Sequence, residues 1–211
     1  MLGLRSLGLA VVLLAIAGGA VAQEYRAEEH YQVLDEPVAT AEGEGVEVRE
    51  FFSYGCPHCH DFEPRLAAWA ERMGDDINLV HTPVTFNREA WARLARAYHA
   101  AEVLDITEQT HQAMFEAIHV EGRRFRSDAD IAAFLAETAG LETSEVEDTL
   151  NSFAVDSRMR RTERLGQDYG IRSTPTVTVA GRYVVDVRRA GGQQGMLDVA
   201  EYLVREEAAA Q

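Results

Sequence analysis

The sequence of 211 residues contains only two cysteines, no lysine and, beyond its amino-terminal segment, no long apolar run. Neither cysteine lies near the amino terminus, so no thiol is available there to carry a lipid anchor. The 20 basic residues are all arginine and are outnumbered by 35 acidic residues, which gives a net charge of -15. This charge argues against a nucleic-acid partner or an anionic membrane surface held by electrostatics. The absence of a later apolar run excludes a membrane-spanning helix from the rest of the chain.

The amino-terminal segment, residues 1–22, has the composition of a secretory signal. It carries Arg5 near its start, an apolar stretch in its middle and a small-residue ending at Ala22. A retained membrane anchor is the alternative, but the apolar stretch is shorter than the roughly 20 residues that a spanning helix needs. We expect cleavage after Ala22 and export of a chain that begins at Gln23. Its compartment would be oxidising, so that a cysteine pair can persist there as a disulfide.

A strand and a helix are predicted on either side of the two cysteines. The stretch VEVREFFSY, residues 46–54, is rich in β-branched and aromatic residues and predicts a strand. The stretch CPHCH follows at residues 56–60. Apolar side chains then recur at three- and four-residue spacing, which predicts a helix from within this motif to about Gly74. The stretch INLVH, from Ile77 to His81, predicts a second strand.

The middle of the chain, residues 87–168, shows helical periodicity and no strand pattern. Two pairs in this block are typical of helix N-terminal caps, Ser127 with Asp130 and Ser144 with Glu147. The block is therefore predicted to be a series of short helices.

The carboxyl-terminal part returns to strand patterns in PTVTVAGRYVVDV, residues 175–187, with a hairpin turn at Ala180–Gly181. A last helix is predicted over about Gln193–Glu206. The whole order predicts an α/β fold with an inserted all-helical domain. We expect four segments: the signal peptide at 1–22, a first sheet-and-helix part at 23–86, the helical insertion at 87–168 and a second sheet-and-helix part at 169–211.

The CPHCH motif is compatible with four kinds of site. C-x-x-C-H is the attachment signature of a c-type haem, in which His60 would bind the iron. A zinc site would need a further ligand, and four later histidines stand at no recognisable ligand spacing: His81, His99, His111 and His119. A purely structural disulfide is weak, because a two-residue loop constrains the unfolded chain very little. A strand that leads into the motif and a helix that leaves it favour the fourth kind, a redox dithiol.

The chemistry of a redox dithiol depends on the thiolate of Cys56. This residue is predicted where a helix begins, so unpaired backbone N–H groups and the positive end of the helix dipole favour the thiolate. Pro57 fits the first helical turn, where its missing N–H costs nothing, and His58, if protonated, adds a positive charge. Each pKa unit by which the thiolate is favoured stabilises the reduced form by about 1.4 kcal/mol and makes the disulfide a stronger oxidant.

Glu50 is an acidic residue in a largely apolar part of the predicted strand. Strand alternation places it on one face with Val48 and Phe52, beneath the motif. Burial there would raise its pKa and allow it to exchange a proton with the less exposed Cys59. A glutamate at a fraying or hydrated part of the sheet is the alternative.

With these residues, the chain resembles the DsbA-type periplasmic thiol:disulfide oxidoreductases over nearly all of its mature length. The likeness rests on EVREFFSYGCPHCHDFEP around the motif, on LNSFAVDS at 150–157 and on GIRSTPTVTVAGRYVV at 170–185. The resemblance implies a thioredoxin fold interrupted by a helical domain. It also implies that Cys56 is the exposed reactive cysteine, Cys59 its buried partner and Glu50 the buried acid.

The resemblance further implies that Thr174–Pro175 belongs to a loop whose proline is cis, beside the cysteine pair, and whose edge binds an extended substrate peptide. A trans proline in a turn is the alternative. Two features depart from the family. His81 stands where several members carry lysine, which predicts electrostatics sensitive to pH near neutrality. The region after Val187 matches poorly, and Met196 is expected either in the substrate groove or in ordinary packing.

We therefore predict a protein disulfide oxidase that donates its Cys56–Cys59 disulfide to reduced, unfolded exported proteins and needs no metal or organic cofactor. The resemblance implies a periplasmic location and reoxidation by a DsbB-type, quinone-linked membrane oxidase. We expect a monomer. The alternatives are a disulfide isomerase or reductase of the same superfamily, a c-type cytochrome, and a peptide-binding holdase whose thiols are incidental. An isomerase is less favoured, because too few residues precede the first strand to form the dimerisation domain that such enzymes usually carry.

Overall fold

A mixed five-stranded sheet forms the frame of the protein. The computed structural model describes residues 25–210, so the signal peptide expected at residues 1–22 lies outside the described residues. The strands lie in the order β1-β5-β4-β2-β3, where β1 is Gln32–Val33, β2 Val46–Phe52, β3 Ile77–Pro83, β4 Thr176–Val179 and β5 Tyr183–Asp186. β2 pairs in parallel with β3 and antiparallel with β4, and the remaining pairs are antiparallel.

Seven helices accompany the sheet in the described part of the chain. They are α1 Pro57–Met73, α2 Glu89–Val103, α3 Thr107–His119, α4 Asp128–Ala139, α5 Thr143–Leu150, α6 Phe153–Asp168 and α7 Gln193–Ala209. Helices α2 to α6 follow one another without a strand, in the segment predicted to be all-helical, so the predicted α/β fold with a helical insertion is confirmed. Among residues 25–210, no helix has both the length and the apolar character needed to span a bilayer.

Strand β2 is buried along its whole length because it has a neighbouring strand on each side. It ends at Phe52, earlier than the predicted end at Tyr54. The reason is a turn in which the backbone N–H of Cys56 donates to the carbonyl of Ser53 at 3.0 Å. This turn directs the chain out of the sheet and into α1. β3 extends beyond its predicted end to Pro83, because the pairing with β2 continues to that residue.

The predicted hairpin between β4 and β5 is confirmed, and its turn requires glycine at position 181. Ala180 and Gly181 both have positive φ values, of 53° and 68°. The Val38 carbonyl oxygen would lie 2.1 Å from a Cβ atom at Gly181, and the N–H of Val38 donates to the Gly181 carbonyl at 2.8 Å. Both the backbone conformation and this close approach exclude a side chain there. The turn thus holds the segment before β2 against the sheet.

Of the two predicted capping pairs, one is confirmed and one is wrong. The Ser127 side chain accepts from the backbone N–H of Asp130, and the Asp130 carboxylate accepts from the backbone N–H of Ser127, which completes a capping box at the start of α4. Ser144, by contrast, lies inside α5, whose N-cap is Glu142. The left-handed Gly140 ends α4 so close to this point that α5 begins before the serine is reached.

Two main hydrophobic clusters form most of the core, and the cysteine pair belongs to one of them. The first joins the end of β2 and both cysteines to the helical block, and it includes Phe52, Cys59, Met114, Phe115 and Leu135. The second joins the sheet to α1 and α7, and it includes Phe62, Leu66, Trp69, Val177 and Met196. The amino-terminal end of α1 therefore lies where the sheet and the helical block meet.

The two serines at the predicted caps offer a matched comparison. Replacement of Ser127 by Ala removes the acceptor for the Asp130 N–H, and the free energy of unfolding should fall by about 1 kcal/mol. The Ser144→Ala variant should lose nothing, because this residue caps no backbone group and alanine is the better helix former. Urea unfolding of the two variants, monitored by far-ultraviolet circular dichroism, measures the difference. Equal losses in both would contradict the assignment of the caps.

Candidate active site

The first turn of α1 carries the CPHCH motif. Cys56 is the N-cap residue, with extended backbone angles, and Pro57 occupies the first helical turn, as predicted. The Gln193 side chain, at the start of α7, donates to the carbonyl of His58 at 2.8 Å. The imidazole-bearing residue His58 itself is exposed. The motif is therefore fixed on one side by the turn from β2 and on the other by α7.

Both cysteines are free thiols, and they differ in burial. Cys59 has no exposed surface, whereas Cys56 is 6% exposed. The expectation of an exposed reactive cysteine is thus too strong, because only a small part of Cys56 reaches solvent. Of the two cysteines, Cys56 is still the one that another thiol can approach.

The surroundings of Cys56 favour its thiolate. Its pKa is lowered from 9.0 to about 5, and the largest cause is a hydrogen bond from the Cys59 side chain. Burial opposes this effect, and the Thr174 side chain and the backbone N–H groups of Cys59 and His58 add to it. The stabilisation of the thiolate that was predicted from the helix N-terminus therefore comes from individual backbone N–H donors. The thiol of Cys59 also stabilises the Cys56 thiolate, which the sequence did not indicate. His58 contributes through its backbone N–H.

Cys59 has the opposite tendency. Burial raises its pKa well above the ordinary thiol value of 9.0, and the hydrogen bond to Cys56 and the charge of Glu50 act in the same direction. The reduced pair consequently holds one proton, on Cys59, and one negative charge, on Cys56. Cys56 is therefore already ionised in the reduced protein. Cys59 becomes a thiolate only when another group takes its proton.

The loop before β4 lies directly against Cys56. The peptide bond between Thr174 and Pro175 is cis, and the Cys56 sulfur lies 3.6 Å from the Thr174 carbonyl oxygen. An open groove of about 560 Å³ extends from this point. Its lining combines the first turn of α1, the cis-proline loop and the start of α7, and includes His58, Ser173, Thr174, Pro175, Val187 and Gln193. Met196 is outside this lining and completely buried, so it belongs to the core packing.

Glu50 is completely buried in β2, as strand alternation predicts, and the alternative of a hydrated glutamate is wrong. Neither of its carboxylate oxygens has a hydrogen-bond partner in the described part of the chain. Burial raises its pKa well above 4.5, and the charges of Glu63 and Cys56 add to the effect. Glu50 therefore tends to hold a proton, in a position where its ionised form would raise the pKa of Cys59.

Three further side chains lie behind the motif with Glu50, and sequence reasoning placed only His81 near that acid. His81, in β3, is the cross-strand neighbour of Glu50, and its Nε2 lies 3.7 Å from the carboxylates of both Glu50 and Glu63. Glu63 in α1 lies 3.3 Å from the Nε2 of His111 in α3. Glu63 had a local signal, because it follows Cys59 by one helical turn and so shares its buried face. His111 had none, since its helix is distant in the sequence.

The expectation that His81 makes the site sensitive to pH near neutrality is wrong. Burial lowers the pKa of His81 to about 4, and the nearby His111 adds to the effect, while Glu63 opposes it. The imidazole of His81 is therefore neutral at pH 7.

Comparisons with known proteins match almost the whole chain to a single family. The model of the DSBA-like thioredoxin domain matches residues 47–203. The chain is 35% identical over 191 residues to the thiol:disulfide interchange protein DsbA of Pseudomonas aeruginosa, with 90% of each chain covered. It is 32% identical over 211 residues to the protein of the same name from Pseudomonas syringae pv. tomato, with 98% of each covered.

Solved structures agree with these relatives. A crystal structure of Pseudomonas aeruginosa DsbA superposes with a TM-score of 0.81 at 34% identity, and covers 88% of this chain and 96% of that one. The oxidoreductase DsbA from Xylella fastidiosa superposes with a TM-score of 0.81 at 31% identity, and covers 88% of this chain and 98% of that one. The similarity therefore includes both the sheet and the helical block.

The Cys56 thiolate should be measurable by titration of the reduced protein. The ultraviolet absorbance of the thiolate is expected to disappear with a midpoint near pH 5 as the pH falls. Because the pKa in the folded state is depressed, the added stability of the reduced form is complete above the unfolded thiol value of 9.0 and is lost towards pH 5. A midpoint near 9 would show that Cys56 is an ordinary thiol.

The source of this shift can be tested at Cys59. The Cys59→Ala variant lacks the donor that lowers the Cys56 pKa most, so its titration midpoint should move upward. The Cys59→Ser variant keeps an O–H donor and should move less. The same absorbance titration compares the two variants. Equal midpoints in wild type and Cys59→Ala would mean that Thr174 and the backbone donors stabilise the thiolate without the Cys59 thiol.

Proposed function

The chain belongs to the DSBA-like thioredoxin domain family and is a thiol:disulfide oxidoreductase, and from this premise we propose that it donates the Cys56–Cys59 disulfide to reduced proteins exported to the periplasm. The observation that carries the proposal is the opposite treatment of the two thiols. The site lowers the pKa of Cys56 and raises that of Cys59. A stabilised Cys56 thiolate favours the reduced form, and so makes the disulfide an oxidant of other thiols.

In the first step, a substrate thiolate attacks the sulfur of Cys56 in the disulfide. A substrate–Cys56 mixed disulfide forms, the Cys56–Cys59 bond breaks, and the electron pair goes to the sulfur of Cys59. Cys59 is the poorer leaving group because its pKa is high, so it must receive a proton as the bond breaks. Glu50 supports this step, since its raised pKa keeps a proton available in the buried space behind the motif.

In the second step, another thiolate of the substrate attacks the substrate sulfur of the mixed disulfide. The substrate disulfide forms, and Cys56 leaves as a thiolate. The environment that lowers its pKa makes Cys56 a good leaving group here. The substrate is thus oxidised by two electrons, and the enzyme is reduced to the dithiol.

The loop at Thr174 and Pro175 is the proposed binding edge for the substrate. The Thr174 carbonyl oxygen lies 3.6 Å from the Cys56 sulfur, and an open groove runs alongside. An extended peptide that pairs with the backbone at Thr174, as an added strand, would bring its cysteine to Cys56. The backbone would supply affinity without selecting a sequence, which suits an enzyme that acts on many unfolded chains.

The catalytic cycle needs a partner that removes two electrons from the dithiol. We assign this role to a quinone-linked membrane oxidase of the DsbB type, on the basis of family membership. The same basis, with the composition of residues 1–22, supports export and a periplasmic location. The mature protein is proposed to be a monomer with three segments, residues 23–86, 87–168 and 169–211.

Removal of the attacked sulfur tests the central step. The oxidised wild-type protein should convert a reduced peptide with two cysteines to its disulfide form, and the Cys56→Ser variant should convert none, because no disulfide can form in it. Chromatography of the peptide after acid quenching measures the product. The variant Ser144→Ala, which changes an exposed residue of α5, is the control and should oxidise the peptide at the wild-type rate. Peptide oxidation by Cys56→Ser at the wild-type rate would overturn the proposal in favour of a holdase with incidental thiols.

The proton-transfer role of Glu50 gives a separate prediction. The Glu50→Gln variant cannot supply a proton to Cys59, so a single turnover of peptide oxidation should slow by about 100-fold at neutral pH. Glu102→Gln is the control, since this carboxylate lies 2.7 Å from the Nδ1 of His99 and is not among the causes that shift the pKa of either cysteine. Stopped-flow measurements over a range of pH should also show that the pH dependence due to Glu50 is lost. A uniform decrease with an unchanged pH profile would indicate a purely structural role.

A further inference from the structure

Four side chains from four elements direct their polar atoms into one space behind the cysteine pair. They are Glu50 in β2, Glu63 in α1, His81 in β3 and His111 in α3. The Glu63 carboxylate and the two imidazoles each offer one ligand atom, and these three atoms lie within 4.8 Å of one another. Glu50 closes the fourth side, with its carboxylate 3.7 Å from the Nε2 of His81.

None of the converging atoms has a well-directed hydrogen bond within the described part of the chain, although the Nε2 of His111 and the Glu63 carboxylate lie within ion-pair distance. Both carboxylate oxygens of Glu50, one oxygen of Glu63 and the Nε2 atoms of His81 and His111 are buried without a partner. Buried polar atoms in proteins are normally paired. An accumulation of unpaired atoms at a single point, all of them able to offer lone pairs, indicates a positively charged ligand between them.

The spacing of these atoms suits a transition-metal ion. Zinc binds imidazole nitrogen and carboxylate oxygen at roughly 2.0 to 2.2 Å, so neighbouring ligands around a tetrahedral ion lie about 3.3 to 3.6 Å apart. Of the pairs here, His111 and Glu63 are separated by 3.3 Å and His81 and each glutamate by 3.7 Å, and the atoms of Glu63, His81 and His111 all lie within 4.8 Å of one another. Two imidazoles and a carboxylate are also a ligand set that zinc prefers to magnesium or calcium.

The surroundings of His111 orient it for this purpose. Its Nδ1 lies 2.9 Å from the hydroxyl of Tyr54, which leaves Nε2 directed towards Glu63. Metal-binding histidines typically have such a partner on their second nitrogen, since it fixes the tautomer and the ring orientation. The side chains of His81 and His111 keep 20% and 13% of their surface exposed, although both Nε2 atoms are themselves buried.

We propose that Glu63, His81 and His111 form a binding site for a divalent zinc-class ion. The site lies next to the protonated carboxyl of Glu50. The site is separate from the cysteine sulfurs, neither of which belongs to the ligand set. The sequence alone does not predict this ion site, because its ligands come from distant segments and have no characteristic spacing.

The test uses Zn²⁺ and the protein without a polyhistidine tag. Thiols also bind zinc, so the Cys56→Ser/Cys59→Ser variant is measured beside the wild type. Equilibrium dialysis followed by elemental analysis should find about one zinc ion per chain in the serine variant and at least one in the wild type. In this serine background, His81→Gln and His111→Gln should each weaken binding by at least about 10-fold. His99→Gln, which changes a buried histidine bonded to Glu102 and Thr162, should bind as the serine background does.

Two further measurements keep the proposal testable if a variant folds poorly. Zn²⁺ should raise the melting temperature of the serine background in a concentration-dependent manner, because binding to the folded state stabilises it. Co²⁺ should give visible absorption bands typical of a nitrogen- and oxygen-bound ion, and Zn²⁺ should displace them. The proposal is overturned if the serine background retains no zinc and shows no change in melting temperature. It is equally overturned if folded His81→Gln and His111→Gln variants bind zinc as tightly as the background does, and neither result would affect the proposed disulfide donation.

Discussion

The hydrogen bond from the Cys59 thiol to the Cys56 sulfur is the interaction on which the site depends. It is the largest of the causes that lower the Cys56 pKa to about 5, and it exists only while Cys59 keeps its proton. Burial holds that proton in place. The reduced pair therefore has one preferred arrangement of proton and charge, and disulfide formation removes both. An enzyme built in this way loses stability when it is oxidised, and so passes its disulfide to other thiols.

Strand β2 brings the parts of the site together. Its position between β3 and β4 buries Glu50, and its pairing with β3 places His81 beside that carboxylate. Its end at Phe52 leads into the turn from which α1 starts. The strand therefore fixes the buried acid and the first turn of α1 relative to each other. The cis-proline loop is positioned by the same strand, because β4, which begins next to it, pairs with β2.

Features that depend on neighbouring residues could be predicted from the sequence. The burial of Glu50 follows from strand alternation, and the helix start at the motif follows from Pro57 and the spacing after it. Features that depend on distant elements could not. The meeting of His111 with Glu63 requires α3 to pack against α1, and no periodicity encodes that. The error at Ser144 has a similar origin, since the preceding turn, rather than the serine, determines where α5 begins.

The helical block contributes directly to the chemistry of the cysteines. Cys59 belongs to the hydrophobic cluster that contains Met114 and Phe115 of α3, and not to the cluster formed by the sheet with α7. Burial is the largest cause of the raised Cys59 pKa, so the helices supply the apolar surroundings that keep this thiol protonated. The sheet and α1 supply position, and the inserted helices supply the low-polarity environment. The difference between the two thiols therefore arises from the contact between the two parts of the fold, and neither part would produce it alone.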